Sequence, residues 1–234
     1  LAQNWVQLAR ENVASRRIAL IFANYPNRDG RLGNGVGLDT PASAQNFFHA
    51  LDDAGYNVGE MPEDGNALIN KLAAGPTNDL TDRSSREGGI KYAVTEYEKF
   101  FATLPDETQQ QITQRWGAAE DDPFVVGKNF LLSAYAQENV IIALQPARGY
   151  NIDPKSTYHD PDLVPPHGYL AFYAWMRMEF KAQAIIHMGK HGNLEWLPGK
   201  SIAMSETCFP EAVLGPMPHL YPFIVNDPGE GTQA

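Results

Sequence analysis

His187, His191 and Glu195 place two imidazoles and a carboxylate close together in the segment HMGKHGNLEWLPGK, which runs from His187 to Lys200. Nitrogen and carboxylate donors of this kind suit a divalent transition cation such as zinc, cobalt, nickel or iron(II). The imidazoles also suit proton transfer, because their ordinary pKa lies near neutrality. The four-residue spacings would put all three on one face of a helix, but Gly189 and Gly192 argue for a loop. Glycine adopts positive φ at little cost and lets the chain fold back on itself. Each residue alone also admits a structural reading, as a satisfied buried histidine or an ion-paired glutamate. The three together, at the exit of a short apolar run, favour chemistry.

Three apolar runs read as strands: Ile18 to Phe22, Val140 to Leu144, and Ala182 to His187. Helical spacing predicts a first helix through Leu1, Trp5, Leu8, Ala9 and Val13. A second starts at Asp39, Thr40 and Pro41, buries Phe47, Phe48, Leu51 and Ala54, and ends at Gly55. Further helices are predicted over Asp64 to Ala74, Lys91 to Leu104, Pro105 to Trp116 and His167 to Lys181. Strand, helix and strand in succession predict a parallel pair joined by a right-handed crossover. The expectation is an α/β fold, a Rossmann-like parallel sheet with flanking helices, plus a helical insertion. Residues 1–56 hold the first helix and strand-helix unit, residues 57–122 are mainly helical, and residues 123–234 carry the strand-helix-strand unit with the histidine motif.

Each strand runs into a polar, turn-rich segment: Asn24 to Arg31, Gln145 to Tyr150, and His187 to Asn193. Open α/β sheets bind ligands beyond the carboxyl ends of their strands, so these segments are expected to line one cleft. Arg28, Arg31, Arg148 and Lys190 would make it locally positive, and arginine forks bind carboxylates through paired hydrogen bonds. Asn24, Arg28, Gln145, Arg148, Lys190 and His167 are therefore the candidates for holding a substrate. HDPD, from His159 to Asp162, reads as a rigid turn because of its prolines. Tyr169, Phe172, Tyr173, Trp175 and Phe180, at helical spacing, read mostly as core.

Composition excludes several classes. The 234 residues carry a net charge of −10, with 43% hydrophobic and 20% charged residues, which disfavours nucleic acid or an anionic membrane as partner. The lone cysteine, Cys208, forms no internal disulfide, as expected in a reducing cytoplasm. No apolar stretch reaches the roughly 20 residues that span a bilayer, and no signal-peptide pattern opens the chain. GNGVG, from Gly33 to Gly37, lacks the dinucleotide spacing, and no GxxxxGK[ST] occurs. ATP is not expected on this chain.

The motif HMGKHGNLEWLPGK, with CFPEAVLGPMPHLYPFIVNDPGEGTQA at Cys208 to Ala234, resembles the large subunits of aerobic, ATP-dependent cobaltochelatases. The resemblance extends to YHDPDLVPPHGYLAFYAW at Tyr158 to Trp175, to QPARGY at Gln145 to Tyr150, and more loosely to Ile18 to Ser43. Residues 57–122 carry no comparable signature. The magnesium chelatase H subunits resemble the same blocks but typically read GTHGALEF where this chain reads GKHGNLEW, which favours cobalt.

The resemblance implies a fragment of the tetrapyrrole- and metal-binding subunit, inserting Co²⁺ into hydrogenobyrinic acid a,c-diamide in cobalamin biosynthesis. ATP and Mg²⁺ would sit on partners, an AAA+ ATPase subunit and an integrin-type subunit. Glu195 is then the first choice for the essential acid–base or metal-guiding carboxylate. His187 and His191 would accept protons or ligate the metal transiently. The alternatives are a magnesium chelatase H subunit acting on protoporphyrin IX and, from another class, a metal-dependent hydrolase using His187, His191 and Glu195.

Overall fold

The computed structural model describes residues 1–24, 29–33, 35, 37–153, 155–157, 160–189, 194–200 and 204–222. In chain order the elements are α1 (Ala2–Arg10), β1 (Ile18–Phe22), α2 (Thr40–Asp53), α3 (Gly65–Ala73), β2 (Ile90–Ala93), α4 (Val94–Phe101) and α5 (Asp106–Trp116). There follow β3 (Val125–Val126), β4 (Asn129–Leu132), β5 (Ala134–Gln137), β6 (Val140–Leu144), α6 (His167–Met178), β7 (Ala184–Met188), α7 (Phe209–Leu214) and β8 (His219–Leu220).

A five-stranded sheet in the order β5-β6-β1-β7-β8 organises the chain, with β5 antiparallel and the other four parallel. β1 lies at its centre, paired from Ile18 opposite Val140 to Phe22 opposite Leu144 on one side. On the other side Ile18 faces Ala184 and Phe22 faces Met188. All fifteen positions of β1, β6 and β7 are buried, as expected where both faces of a parallel sheet are covered.

The sheet's faces carry different helices. Ala19, Ile21, Ile141, Ala143 and Ile185 pack with α4 and α6. Ile18, Leu20, Phe22, Ile142 and Ile186 pack with α2 and α3. Each buried isoleucine, leucine or phenylalanine among these contributes about 1.5–3 kcal/mol relative to exposure. The side chains of Asp39 and Asp64 cap α2 and α3, accepting from Ala42 and Ala67 amides at 3.1 and 2.7 Å, which satisfies donors left over at a helix start. α6 is capped from a distance instead. Buried Asp122 accepts from the Gly168 amide at 2.8 Å, and also from that of Phe124 at 2.8 Å.

Two predicted details are corrected. β6 and β7 are parallel and linked through α6, but they do not pair with each other; β1 lies between them. The helix predicted over Lys91 to Leu104 begins only at Val94, because Ile90–Ala93 pairs antiparallel with Asn129–Leu132 in a second, three-stranded sheet, β2-β4-β3. That sheet's pairing spans distant parts of the chain, so local spacing does not reveal it. No helix among the described residues is long and apolar enough to cross a membrane.

Candidate functional site

At the carboxyl end of the sheet, His187 is one of five consecutive buried positions of β7 and is 1% exposed. Burial of this kind requires partners for both ring nitrogens. Nε2 is hydrogen-bonded to the Tyr173 hydroxyl of α6 at 3.1 Å, and Nδ1 to Nε2 of His219 at 2.9 Å. Tyr173 in turn accepts from the Gln145 side-chain amide at 2.8 Å. Gln145 follows β6 directly, so the polar chain Gln145, Tyr173, His187, His219 joins β6, α6, β7 and β8. Gln145 and Tyr173 are fully buried, whereas His219 is only partly so. The chain therefore runs from the interior towards the surface.

Its electrostatics follow from that burial. Desolvation disfavours the imidazolium, so the His187 pKa lies well below the usual histidine value, lowered further by neighbouring His219. His219 is lowered for the same reason, and burial raises the Tyr173 phenol. Both imidazoles therefore favour the neutral form.

Glu195 lies in a short 3₁₀ turn, Leu194–Trp196, anchored by buried Leu194 and Leu197. More than a third of the residue is solvent-accessible, yet its carboxyl is crowded by protein. That partial desolvation pushes it up to about 7, against the lowering effects of a backbone amide and of Arg148. Its charge is also felt by Tyr169 and Tyr173. The site thus combines a carboxyl that gains and loses a proton near neutrality with neutral imidazoles.

The other predicted site residues divide. Asn24, Gln145 and Arg148 are all fully buried. Asn24 Oδ1 accepts from the Gly33 amide at 3.3 Å. Arg148 donates to the main-chain oxygens of Asp160 and Leu163 at 2.6 and 3.3 Å. The fork expected to grip a substrate carboxylate is thus turned onto the 160–163 loop, and its pKa is lowered by desolvation. Asp160 Oδ1 accepts from the Asp162 amide at 3.0 Å, consistent with a turn. His167 is buried at the start of α6, with Nδ1 bonded to the Tyr97 hydroxyl at 2.8 Å and Nε2 to the Gly117 oxygen at 3.2 Å. Both of its nitrogens serve the packing of α4 and α5 against α6. Arg28, Lys190 and His191 lie outside the described residues.

Two participants escape sequence reasoning. His219 stands in PMPHLYPF, where neither spacing nor composition singles it out. Asn78 comes from the segment without a signature, yet it bridges two strand exits. Its Nδ2 donates to the Asn24 and Gln145 main-chain oxygens at 2.8 and 3.3 Å, and its Oδ1 accepts from the Ala147 amide at 2.9 Å. Asn78 thus ties together the exits of β1 and β6, where an open sheet would admit a ligand. The β7 side is drawn tight differently: the Ala23 amide bonds the Met188 oxygen at 2.9 Å. Gly189 then turns at φ +140°, where a β-carbon would lie 2.7 Å from that of Ala23. Only glycine fits there without strain.

Comparison with known proteins bears on this arrangement. All 234 residues match the CobN/magnesium chelatase family. The chain is 60% identical to the aerobic cobaltochelatase subunit CobN of Sinorhizobium sp over its whole length, which is 18% of that protein. It is 51% identical to the subunit of the same name from Pseudomonas aeruginosa, covering 19% of it. The magnesium-chelatase H subunit of Chlorobaculum parvum is 32% identical over the whole chain and 18% of that protein. Among solved structures, the catalytic subunit of cobaltochelatase from Mycobacterium tuberculosis superposes with a TM-score of 0.84 at 42% identity, covering 99% of this chain and 20% of that one. The chain spans about a fifth of the length of these relatives.

Proposed function

The chain belongs to the CobN/magnesium chelatase family, and from that membership we propose that it forms the metal-inserting part of a cobaltochelatase large subunit. The reaction is insertion of Co²⁺ into hydrogenobyrinic acid a,c-diamide on the route to cobalamin. The energy comes from ATP hydrolysed with Mg²⁺ on an AAA+ partner subunit, assisted by an integrin-type subunit, in the cytoplasm.

The carrying observation is the Glu195 carboxyl, raised to about 7 beside Arg148 and the buried tyrosines of α6. Metal insertion requires the macrocycle's inner nitrogens to lose protons while the cation exchanges ligands. A carboxyl poised near the working pH accepts and returns protons most effectively, typically accelerating such steps by 10²–10⁴-fold. Glu195 has this role in our reading, and His187, with both nitrogens engaged, orients the neighbouring imidazole. His191 is retained as a candidate ligand on its sequence motif alone.

A second reading, Mg²⁺ insertion into protoporphyrin IX, is supported by the 32% identity to a magnesium-chelatase H subunit. The 60% and 51% identities to CobN subunits favour cobalt. The test uses the full-length subunit with its partner subunits and ATP. Glu195→Gln should reduce cobalt insertion at least 100-fold while absorbance titration still detects corrinoid binding. Unaltered insertion would remove Glu195 from the chemistry, and insertion into protoporphyrin but not the corrinoid would establish the second reading.

A further inference from the structure

His219 holds an unusual position. Its Nε2 is committed to His187 Nδ1 at 2.9 Å, and the ring itself is only partly buried, at the edge strand of the sheet. The parallel register sets His219 opposite Ile185, so it shares a sheet face with His187 two residues on. Its second nitrogen, Nδ1, makes no hydrogen bond within the described residues and is not among the enclosed polar atoms. Behind it lies an unbroken series of buried partners: His187, Tyr173 and Gln145.

This is the arrangement that supports a metal-binding imidazole. A ligating histidine presents one nitrogen to the cation and donates the other N–H to a fixed partner, which sets the tautomer and the ring direction. His187 is suited to be that partner. It is itself locked from behind by the Tyr173 hydroxyl, and its ring meets His219 edge-on, at 78° with centroids 4.8 Å apart. Among the described residues no three histidine, cysteine, aspartate or glutamate side chains converge as a closed cage. An open seat agrees with a cation that must leave again, because a complete tetrahedral set retains its metal.

We propose that His219 receives the divalent cation through Nδ1, with His187 as its positioning residue. The inference rests on the chelatase reading for its purpose, but not for its geometry. It moves the metal contact from His187, whose nitrogens are both engaged, to a residue 32 positions later.

The experiment is a titration of the protein with Co²⁺ alone, without macrocycle or ATP. Binding is followed by ligand-field absorbance and by paramagnetically shifted imidazole resonances. Wild-type protein should show a shifted, exchangeable N–H signal from a ring coordinated through Nδ1. His219→Ala should abolish that signal and weaken Co²⁺ binding at least tenfold, with circular dichroism confirming an intact fold. His187→Gln should keep coordination but weaken it about 10- to 100-fold, as expected for an orienting partner. His49→Ala, at an exposed position of α2, should change nothing.

Equal Co²⁺ affinity in His219→Ala and wild type would overturn the proposal, as would wild type failing to bind Co²⁺ at millimolar concentration. Either result would leave the chelatase reading standing on Glu195. Conversely, Co²⁺ binding that depends on His219, in a subunit that inserts no metal when assembled with its partners, would refute the chelatase reading alone.

Discussion

Tyr173 and His187 meet at 3.1 Å, hydroxyl to Nε2, with their rings at 87° and both side chains buried. This contact fastens α6 to β7 at the end of the sheet where Glu195 and His219 also stand. Removing the hydroxyl by Tyr173→Phe takes away the interior partner of His187 Nε2 and one bond of the Gln145 amide. Each buried polar group so abandoned costs about 1–3 kcal/mol. Urea unfolding should show a loss of about 2–4 kcal/mol, far more than one phenol hydroxyl would contribute at the surface. A loss below about 0.5 kcal/mol would mean the chain relaxes around the gap.

Asn78 offers a sharper test because its two ends are chemically opposite. The amide nitrogen faces two carbonyl oxygens and the amide oxygen faces an N–H. Asn78→Ala should destabilise by about 3 kcal/mol through three lost bonds. Asn78→Asp keeps the shape but sets a carboxylate oxygen against the Asn24 and Gln145 oxygens, so at neutral pH it should be worse than alanine despite being nearly isosteric. Thermal unfolding of the two variants side by side gives the order; aspartate milder than alanine would contradict the assigned amide orientation.

These residues show what a sequence discloses and what it withholds. The strands Ile18–Phe22 and Val140–Leu144 are legible because every position is buried on both faces, so the run is apolar throughout. β2 is misread as helix because Ile90–Ala93 passes into α4 without a break, and only its pairing with Phe130 and Leu132 makes it a strand. His187 and Glu195 announce themselves by residue type and local spacing. His219 and Asn78 do not, since their roles arise where the fold crosses itself: Asn78 reaches a carbonyl 67 residues away. Arg148, whose type suggests a substrate fork, also donates to the carbonyls of Asp160 and Leu163, bonds that local spacing does not foretell.

Asp122 should impose a measurable pH dependence on stability. Burial raises its carboxyl from 3.8 to about 6, opposed by its bonds to the Phe124 and Gly168 amides and by Arg83. Between those two values the folded state binds more protons than the unfolded one, so stability rises as pH falls through about 6 and is lost again as pH rises. Asp122→Asn removes the titration and keeps an acceptor for α6. The stability difference between wild type and variant should therefore shift on the order of 2 kcal/mol in favour of wild type between about pH 7.5 and 4. Parallel stability curves for the two proteins would show that the carboxyl titrates normally.

The Glu195 carboxyl is the group whose proton affinity matters most for the proposed chemistry. Crowding lifts it to about 7, and the nearby Arg148 guanidinium and a backbone amide pull it down. The folded state therefore favours the protonated acid at about pH 6 and the carboxylate at about pH 8, a crossing that ordinary glutamate makes below about pH 5. Carbon-13 NMR of glutamate-labelled protein, assigned by comparison with Glu195→Gln, should reveal one side-chain carboxyl titrating close to neutrality. Metal insertion by the assembled enzyme should then rise with pH through the same midpoint, because the carboxylate form is the one that accepts a proton. Should the NMR midpoint lie near the ordinary glutamate value of about 4.3 while the rate still rises around neutrality, another group is the base and Glu195 serves only to guide the cation.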